Sequence, residues 1–233
     1  MDRVISITRA DNDVIEGHGD HKSEVVEVDS HLVGFEGPTN PYQPLNWSLR
    51  KKILTMLLYG LTAMGASFAS AIYSSGTDQV SHEFHISAEV ATLGTSLWLF
   101  GAGLGPLFWA PLSELYGRKP AVLLPTFVSI TFAFAGGAAK DVQTLMICRF
   151  FQGFFGSAPI TNTGGVLGDI FTAEKRSAGI AGYSLAVVGG PTLGPIVGGA
   201  ICDSYLRWRW TQYITGILQS AILVPSVLLL EES

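Results

Sequence analysis

The sequence is poor in charged residues. Asp, Glu, Lys and Arg make up 14% of its 233 residues, whereas hydrophobic residues make up 48% and the mean hydropathy is +0.36. Soluble domains usually contain about 25% charged residues. This shortage of charge argues against a soluble domain and predicts an all-α polytopic membrane protein.

Cysteines and dense clusters of positive charge are also scarce. The two cysteines, Cys148 and Cys202, lie at apolar positions and form no CxxC pair, so packing roles are expected. The net charge is −5, which argues against nucleic acid as a partner.

The glycine-rich run at 101–105 lies inside an apolar segment with no preceding strand, so it does not predict a dinucleotide site. No nucleophile–base pair or cofactor loop is evident, and we expect neither an enzyme nor a cofactor.

Four potential metal ligands lie close together in the sequence. They are His82, Glu83, His85 and Glu89. Their spacing is weak evidence for a metal site, and a solvated loop between two membrane segments is favoured instead. We therefore expect no bound metal.

The first 52 residues differ from the rest of the chain. Residues 1–39 carry nine acidic side chains against three basic ones without a helical or strand period, which predicts a disordered acidic cytoplasmic tail. This polar start is unlike a cleavable signal peptide, so the first spanning helix is expected to direct insertion. Residues 40–52 contain Trp47 and the basic triplet 50–52, which is typical of a segment leading into the membrane from the cytoplasm.

Six long apolar runs follow, and together they predict a six-helix transmembrane bundle over residues 53–230. Each is long enough to cross the ~30 Å hydrocarbon core of a bilayer. The runs are 53–77, 90–113, 120–139, 142–168, 177–202 and 211–230. The connections on one side contain seven Lys and Arg residues and those on the other side three, so both ends of the bundle are predicted to be cytoplasmic.

The bundle contains an internal repeat with an offset of 89 residues. Gly101, Gly105 and Pro106 recur as Gly190, Gly194 and Pro195. The offset covers three helices, and an odd number of crossings inverts the second copy. The repeat therefore predicts two inverted sets of three helices, a 3+3 arrangement.

A stripe of small residues follows one face of the fifth run. Its members are spaced by four: Ala178, Gly182, Ala186, Gly190, Gly194 and Gly198. Small side chains let two helix backbones approach closely, so the stripe predicts a tight helix–helix contact. Pro191 and Pro195 each remove a backbone donor and should bend or loosen the helix.

This run also resembles a family motif. Gly190, Gly194, Pro195, Gly198 and Gly199 occupy the fixed positions of G-x-x-x-G-P-x-x-G-G, the fifth-helix antiporter motif of the major facilitator superfamily. Leu145, Arg149, Gln152 and Gly153 match the fourth-helix motif L-x-x-x-R-x-x-Q-G, in which the arginine is implicated in proton coupling. The resemblance thus implies a coupling role for Arg149 and Gln152.

The connection after the second run resembles a third motif of this family. Glu114, Gly117, Arg118 and Lys119 occupy positions of the cytoplasmic loop G-x-L-A-D-R-x-G-R-K, with Glu in place of Asp and Leu115 in place of the first Arg. In the family this loop is a conformational latch whose acid pairs with basic residues and helix ends. A tight turn with ordinary basic flanks is the alternative.

Arg149 is the one charged residue within an apolar run. An isolated arginine near a membrane centre costs about 2.5–3.5 kcal/mol on insertion scales. It should therefore face a cavity or a polar partner. Because Arg149 lies about seven residues into its run, about 10 Å from the outer surface, snorkelling to the headgroups is an alternative.

The resemblance is closest to the twelve-helix drug:proton antiporters of fungal type, of which this chain would be the N-terminal half. It implies proton-coupled efflux of drugs, toxins or secondary metabolites across the plasma membrane, with a small organic substrate, protons, the lipid bilayer and a second six-helix half as partners. A truncated remnant or an interaction partner without transport activity is the alternative. Candidate substrate-facing residues are Tyr59, Phe68, Tyr73, Trp98, Phe155 and Asn162.

Overall fold

A computed structural model describes residues 46–171 and 173–230. The acidic tail and residues 40–45 of the segment leading into the membrane lie outside the described residues. Within them the chain forms seven α-helices and no strands. The helices are α1 (Leu49–Ile72), α2 (Thr77–Phe84), α3 (Ala88–Tyr116), α4 (Arg118–Gly137), α5 (Val142–Ile170), α6 (Ala173–Cys202) and α7 (Arg209–Leu229).

Polar caps define the starts of three helices. The side chains of Ser48, Ser87 and Asp141 accept hydrogen bonds from backbone amides in the first turns of α1, α3 and α5. Such caps satisfy amides that have no partner within the helix. The hydroxyl and the amide of Thr144 both donate to Asp141, and these hydrogen bonds lower the pKa of its carboxyl group.

Two connections are unusually short. A 3-10 turn at Tyr73–Gly76 joins α1 to α2, so the chain stays helical from residue 49 to residue 84. Gly117 alone separates α3 from α4, and its φ of 94° lies in a region that residues with a side chain rarely adopt. Glycine at this position thus allows the chain to reverse within one residue.

The six predicted runs each coincide with a long helical segment, but only five of these segments have the apolarity expected of a membrane span. They are 49–84, 88–116, 118–137, 179–202 and 209–229. Helix α5, which covers the predicted run 142–168, is not among these five, and a sixth span there remains a prediction. Helix α5 is long enough, but its glycines and the polar side chains of Arg149, Gln152 and Asn162 lower its apolarity.

Helix α5 lies in the interior of the bundle. It packs against α3 and α4 and also contacts α1, while α1 packs against α6 and α7, and α4 packs against α7. The outward faces of α3 and α6 carry exposed large apolar residues such as Phe100, Leu107, Leu185 and Ile196. Large apolar side chains thus cover much of the outer surface of α3 and α6, as expected of a chain with lipid around it.

The small-residue stripe of α6 packs along α1, as the sequence predicts. A Cβ atom added at Gly190 would lie 2.7 Å from the carbonyl oxygen of Met64 and from the amide nitrogen of Phe68. One added at Gly198 would lie 2.7 Å from the carbonyl oxygen of Ile72. The two backbones touch over several turns, which larger side chains would prevent.

Candidate functional site

Arg149 is buried at the junction of α1, α3 and α5, with a relative exposure of 1%. Its Nε donates to the carbonyl oxygen of Gly94 at 3.2 Å, and its Nη1 donates to that of Ala69 at 3.0 Å. Nη1 also donates to Oε1 of Gln152 at 3.1 Å. The guanidinium therefore joins three helices through hydrogen bonds, and burial excludes the snorkelling alternative.

The acceptors on α1 lie at its C-terminal end. The last four carbonyl groups of a helix lack an intrahelical partner and carry partial negative charge. Ala69 and Ser70 belong to this last turn, and Ser70 accepts from Nη2 of Arg149 at 3.4 Å. The carbonyl dipoles at the end of α1 thus compensate a buried positive charge, and no carboxylate in the described part of the chain is buried beside it.

An aromatic ring completes the surroundings of Arg149. Its guanidinium carbon lies 4.5 Å from the ring centroid of Tyr73, which is fully buried in the 3-10 turn after α1. The Tyr73 hydroxyl donates to the carbonyl oxygen of Ala91 on α3 at 3.0 Å. A cation over an aromatic face is stabilised by the ring quadrupole. Tyr73 is therefore part of the arginine site.

Gln152 connects the arginine site to α4. Its side chain accepts from Arg149, and its backbone carbonyl accepts from the hydroxyl of Ser129 at 3.0 Å. The structure thus brings together the two residues for which the sequence predicts a coupling role. That role itself remains a prediction.

At the cytoplasmic side predicted from the sequence, Arg118 forms an ion pair that the sequence analysis missed. Its Nε lies 3.1 Å from Oδ2 of Asp169, near the end of α5, and its Nη1 donates to the hydroxyl of Ser113 at 3.0 Å. Glu114, the acid expected to act in the latch, is exposed. Asp169 follows the predicted apolar run by one residue, which is why it was overlooked.

A second network joins the connections at the opposite end of the bundle. Oε1 of Glu83 in α2 lies 2.8 Å from Nη2 of Arg209, and Oε2 of Glu83 accepts from Nε1 of Trp208 at 2.6 Å. Nη1 of Arg209 donates to the carbonyl oxygens of Gly137, the last residue of α4, and of Ala139 just after it. The network therefore links α2 to the connection between α4 and α5 and to the connection between α6 and α7.

The same end carries an open cavity of about 330 Å³ lined by Gln79, His82, Glu83, Arg207 and Trp208. No group of three or more His, Cys, Asp or Glu side chains within the described residues is arranged to hold a metal ion. Glu83, which the sequence analysis considered only as a weak metal ligand, has Trp208 and Arg209 as its partners.

The predicted substrate-facing residues are mostly inside the bundle. Tyr59, Phe68, Trp98 and Asn162, like Tyr73, are 5% exposed or less, and only Phe155 is half-buried. The backbone of Trp98 lies against Gly153 of α5, and the Asn162 amide reaches the carbonyl oxygen of Ala121 at 3.5 Å. Packing thus accounts for their positions in this half, and contact with a substrate remains a prediction.

The fold and these motifs belong to a known class of membrane transporter. Residues 55–233 match the family model described as Major Facilitator Superfamily. The chain belongs to this superfamily, which is a family of transporters and not of enzymes.

Fungal relatives include proteins with named transport roles. The chain is 50% identical over 202 residues to the efflux pump bik6 of Gibberella fujikuroi, and the match covers 87% of this chain and 42% of the relative. It is 42% identical over 207 residues to the multidrug transporter FLU1 of Candida albicans, covering 88% of this chain and 34% of that protein. The chain thus spans about two fifths or less of the length of these relatives.

Solved structures show the same fold at low sequence identity. A bacterial homolog of the human lysosomal transporter Spinster, in an inward-facing unoccupied conformation, superposes with a TM-score of 0.70 at 15% identity, covering 80% of this chain and 44% of that one. The human organic anion transporter MFSD10 gives a TM-score of 0.59 at 17% identity, covering 80% of this chain and 49% of that chain.

Proposed function

We propose that the chain is the N-terminal half of a proton-coupled efflux transporter for small organic molecules. The observation that carries the proposal is the buried Arg149, which joins α1, α3 and α5 through backbone carbonyls and Gln152. The names of the fungal relatives, an efflux pump and a multidrug transporter, support export as the direction of transport.

The packing of the helices supports a 3+3 inverted repeat. With α1 and α2 taken as one span, a pseudo-twofold relation exchanges α3 with α6 and α1 with α5. Gly101 of α3 lies against the backbone of Phe150 and Phe154 in α5, as Gly190 of α6 lies against α1. The repeated glycines Gly101 and Gly190 therefore allow equivalent close helix contacts in the two copies.

A second six-helix half would complete the transporter. Alternating access in this superfamily requires one half to rock against another around a site near the midplane. The relatives are more than twice as long as the matched segment. The apolar faces of α3 and α6 are suited to contact with either lipid or that second half. Most of the surface of each of these two helices is not buried inside the described bundle.

The proposed topology places the Arg118–Asp169 pair at the cytoplasmic face and the Glu83–Arg209 pair at the outer face. The excess of Lys and Arg in the connections on the first side supports this orientation. A plasma-membrane location fits a pump that exports toxic compounds. The proposed latch would use Arg118 and Asp169, with Glu114, Gly117 and Lys119 in the same loop region.

Arg149 would act on coupling through its charge. Arginine remains protonated in proteins, so it does not shuttle protons itself. A fixed positive charge stabilises the ionised form of an acid that comes close to it. Since Arg149 is the sole charged side chain buried within the described residues, we place the titrating carboxylate in the second half.

The test is export of a fluorescent amphipathic dye from yeast cells that lack their own pumps. The cells would express the chain alone or fused to the C-terminal half of the Gibberella fujikuroi efflux pump. We expect the fusion to export dye, a proton uncoupler to abolish export, and Arg149→Met to reduce export at least tenfold. Arg50→Met, at an exposed position in the first turn of α1, is the matched control and should have no effect.

The outcomes separate the alternatives. Export by the chain alone would mean that it transports as an assembled pair of copies. Export by the fusion that resists the uncoupler would contradict proton coupling. If the fusion reaches the membrane and exports no dye, the chain is a remnant or an interaction partner, and the proposed function is wrong.

A further inference from the structure

A groove runs between the last turns of α3 and the first turns of α4. Both helices pack against α5 and contact each other little, which leaves an open space of about 490 Å³ between them. A pocket of this volume can hold a drug-sized molecule. Its lining is almost wholly apolar and consists of Trp109, Leu112, Tyr116, Pro120, Ala121, Leu124 and Pro125. We call it the α3–α4 groove.

The mouth of the α3–α4 groove lies at the end of a membrane span. The groove residues belong to the spans 88–116 and 118–137, and Tyr116 is the last residue of the first span. Tyr116 is 72% exposed, and its hydroxyl forms no hydrogen bond with another described residue. Tyrosine is common at the membrane surface because its ring is apolar while its hydroxyl reaches the polar headgroups. The groove therefore has one polar group at its mouth and apolar walls towards the membrane centre.

Trp109 forms a fixed wall at the end of the groove away from Tyr116. Its Nε1 donates to the carbonyl oxygen of Phe154 at 2.9 Å, and its ring centroid lies 5.7 Å from that of Phe154 and 5.5 Å from that of Phe155. These contacts set the orientation of the indole ring before any ligand binds. A rigid, flat molecule would bind such a preformed wall with little loss of conformational freedom.

The length of the groove distinguishes between two kinds of lipid. Trp109 and Tyr116 are seven residues apart on α3, which corresponds to about 10 Å along the helix axis. The hydrocarbon of one leaflet is about 15 Å deep, half of the ~30 Å core. An extended acyl chain would project well beyond Trp109, whereas a compact ring system with one polar end would lie within the groove. These dimensions favour a sterol over a phospholipid.

The charges beside the mouth favour the same choice. Arg118 forms an ion pair with Asp169 at 3.1 Å, so its charge is compensated within the protein. Glu114 and Lys119 add one charge of each sign to the connection between α3 and α4. This balance provides no net attraction for an anionic headgroup. An uncharged ligand with a hydroxyl group is therefore the better match.

The sequence around Tyr116 also matches a pattern proposed for sterol contact. The pattern is Leu or Val, then Tyr, then Lys or Arg, with one to five residues between each pair, and Leu112, Tyr116 and Arg118 fill it. Such short patterns have little weight by themselves. Here, however, Leu112 and Tyr116 line the same groove, and Arg118 begins the helix that forms its other wall.

We propose that the α3–α4 groove binds a membrane sterol, whose hydroxyl lies at Tyr116 and whose rings lie against Trp109. The sterol would cover Leu112 and Leu124, which are 38% and 67% exposed in the described bundle. The inference does not depend on transport, since Arg149 contacts Gly94, near the opposite end of α3.

The test is photolabelling of the purified chain in phosphatidylcholine bilayers with a diazirine analogue of ergosterol. Mass spectrometry should locate the label within residues 109–125. We expect unlabelled ergosterol to displace the probe and added phosphatidylserine to leave it in place. Tyr116→Ala and Leu124→Ala each remove an exposed part of the lining. Each should raise the mole fraction of ergosterol needed for half-displacement at least threefold.

Two further variants make the test specific. Leu115→Ala removes an apolar side chain that is 79% exposed but does not line the groove, so it is the matched control and should leave displacement unchanged. Tyr116→Phe keeps the ring and removes the hydroxyl, and its half-displacement point should lie between those of the parent and Tyr116→Ala. Melting temperatures of all variants check that the fold is retained, as expected for substitutions at exposed positions.

Three outcomes would overturn the proposal. The first is unchanged displacement in both Tyr116→Ala and Leu124→Ala. The second is displacement by phosphatidylserine as effective as that by ergosterol, which would mean that an acyl chain occupies the groove. The third is loss of labelling when the chain is fused to the C-terminal half of the Gibberella fujikuroi efflux pump, which would mean that the second half covers the groove.

Discussion

The guanidinium carbon of Arg149 lies 4.5 Å from the centroid of the Tyr73 ring. Arg149 is on α5 and Tyr73 is in the 3-10 turn that follows α1, so the contact joins the buried charge to the site where the first helix changes its geometry. The same guanidinium binds the carbonyl oxygens of Ala69 and Ser70. One side chain therefore fixes both the end of α1 and the turn after it.

Substitution of Tyr73 separates the role of its ring from that of its hydroxyl. Tyr73→Phe loses the hydrogen bond to Ala91, which typically contributes about 1 kcal/mol. Tyr73→Leu also loses the cation–π contact, worth ~2 kcal/mol when desolvated. We expect the free energy of unfolding to decrease from the parent to Phe to Leu, measured by thermal melts in detergent. Equal stability of the Phe and Leu variants would contradict a role for the ring.

Alanine at the glycines that touch a neighbouring backbone should destabilise the bundle. Gly101→Ala and Gly190→Ala force α3 away from α5 and α6 away from α1, at a cost of about 1–3 kcal/mol each. Gly103→Ala and Gly189→Ala lie on the same helices, where an added Cβ atom meets nothing within 4 Å. Melting temperatures should fall for the first pair only. If all four variants melt alike, close helix approach does not stabilise this fold.

The Arg118–Asp169 pair should contribute little to stability. The two side chains are 21% and 40% exposed, and ion pairs of this kind are worth about 1 kcal/mol or less. A double-mutant cycle with Arg118→Ala and Asp169→Asn measures the coupling. In dye-export assays of the full-length fusion, we expect each single change to reduce export clearly while it changes the melting temperature very little.

Gly165 tests whether the position of Arg118 matters for this pair. An added Cβ atom would lie 2.8 Å from Nη1 of Arg118, so Gly165→Ala should displace the guanidinium and reduce the coupling with Asp169. At the adjacent Gly164 an added atom meets nothing within 4 Å, and Gly164→Ala should preserve the coupling. A coupling that is unchanged in Gly165→Ala would rule out the observed geometry.

The Glu83 network should protect Cys202. Gln79 donates to the carbonyl oxygen of Cys202 at 2.7 Å and accepts from the amide of Trp208, whose indole binds Glu83. We expect Glu83→Gln to accelerate maleimide labelling of Cys202 several-fold in a Cys148→Ala background. Glu89→Gln, at an exposed position in the first turn of α3, is the control. Equal labelling rates in Glu83→Gln and its Cys148→Ala parent would show that the Glu83 network does not limit access to Cys202.

Much of the fold could be predicted from the sequence, because apolar runs and small-residue spacing report directly on helix length and helix contact. The packing of Gly190 on α1 is an example. The partners of Arg149 could not be predicted in this way, since most of them are backbone carbonyls, which every residue possesses. Asp169 was missed as an ion-pair partner because it directly follows an apolar run, where a charged residue is expected in any case. Glu83 lies in the connection between the first two runs, and its partners Trp208 and Arg209 are more than 120 residues away in the sequence.

The composition of α5 has a consequence for how the chain enters the membrane. Its Arg149, Gln152 and five glycines make it a poor substrate for insertion on its own, since a central arginine alone costs about 2.5–3.5 kcal/mol. Helices α3 and α4, which precede it during synthesis, supply Gly94 and Ser129 as polar contacts. We therefore expect insertion of α5 to depend on helices already in the bilayer, so a substitution that disrupts α3 or α4 should prevent biogenesis of the chain before any transport step is reached.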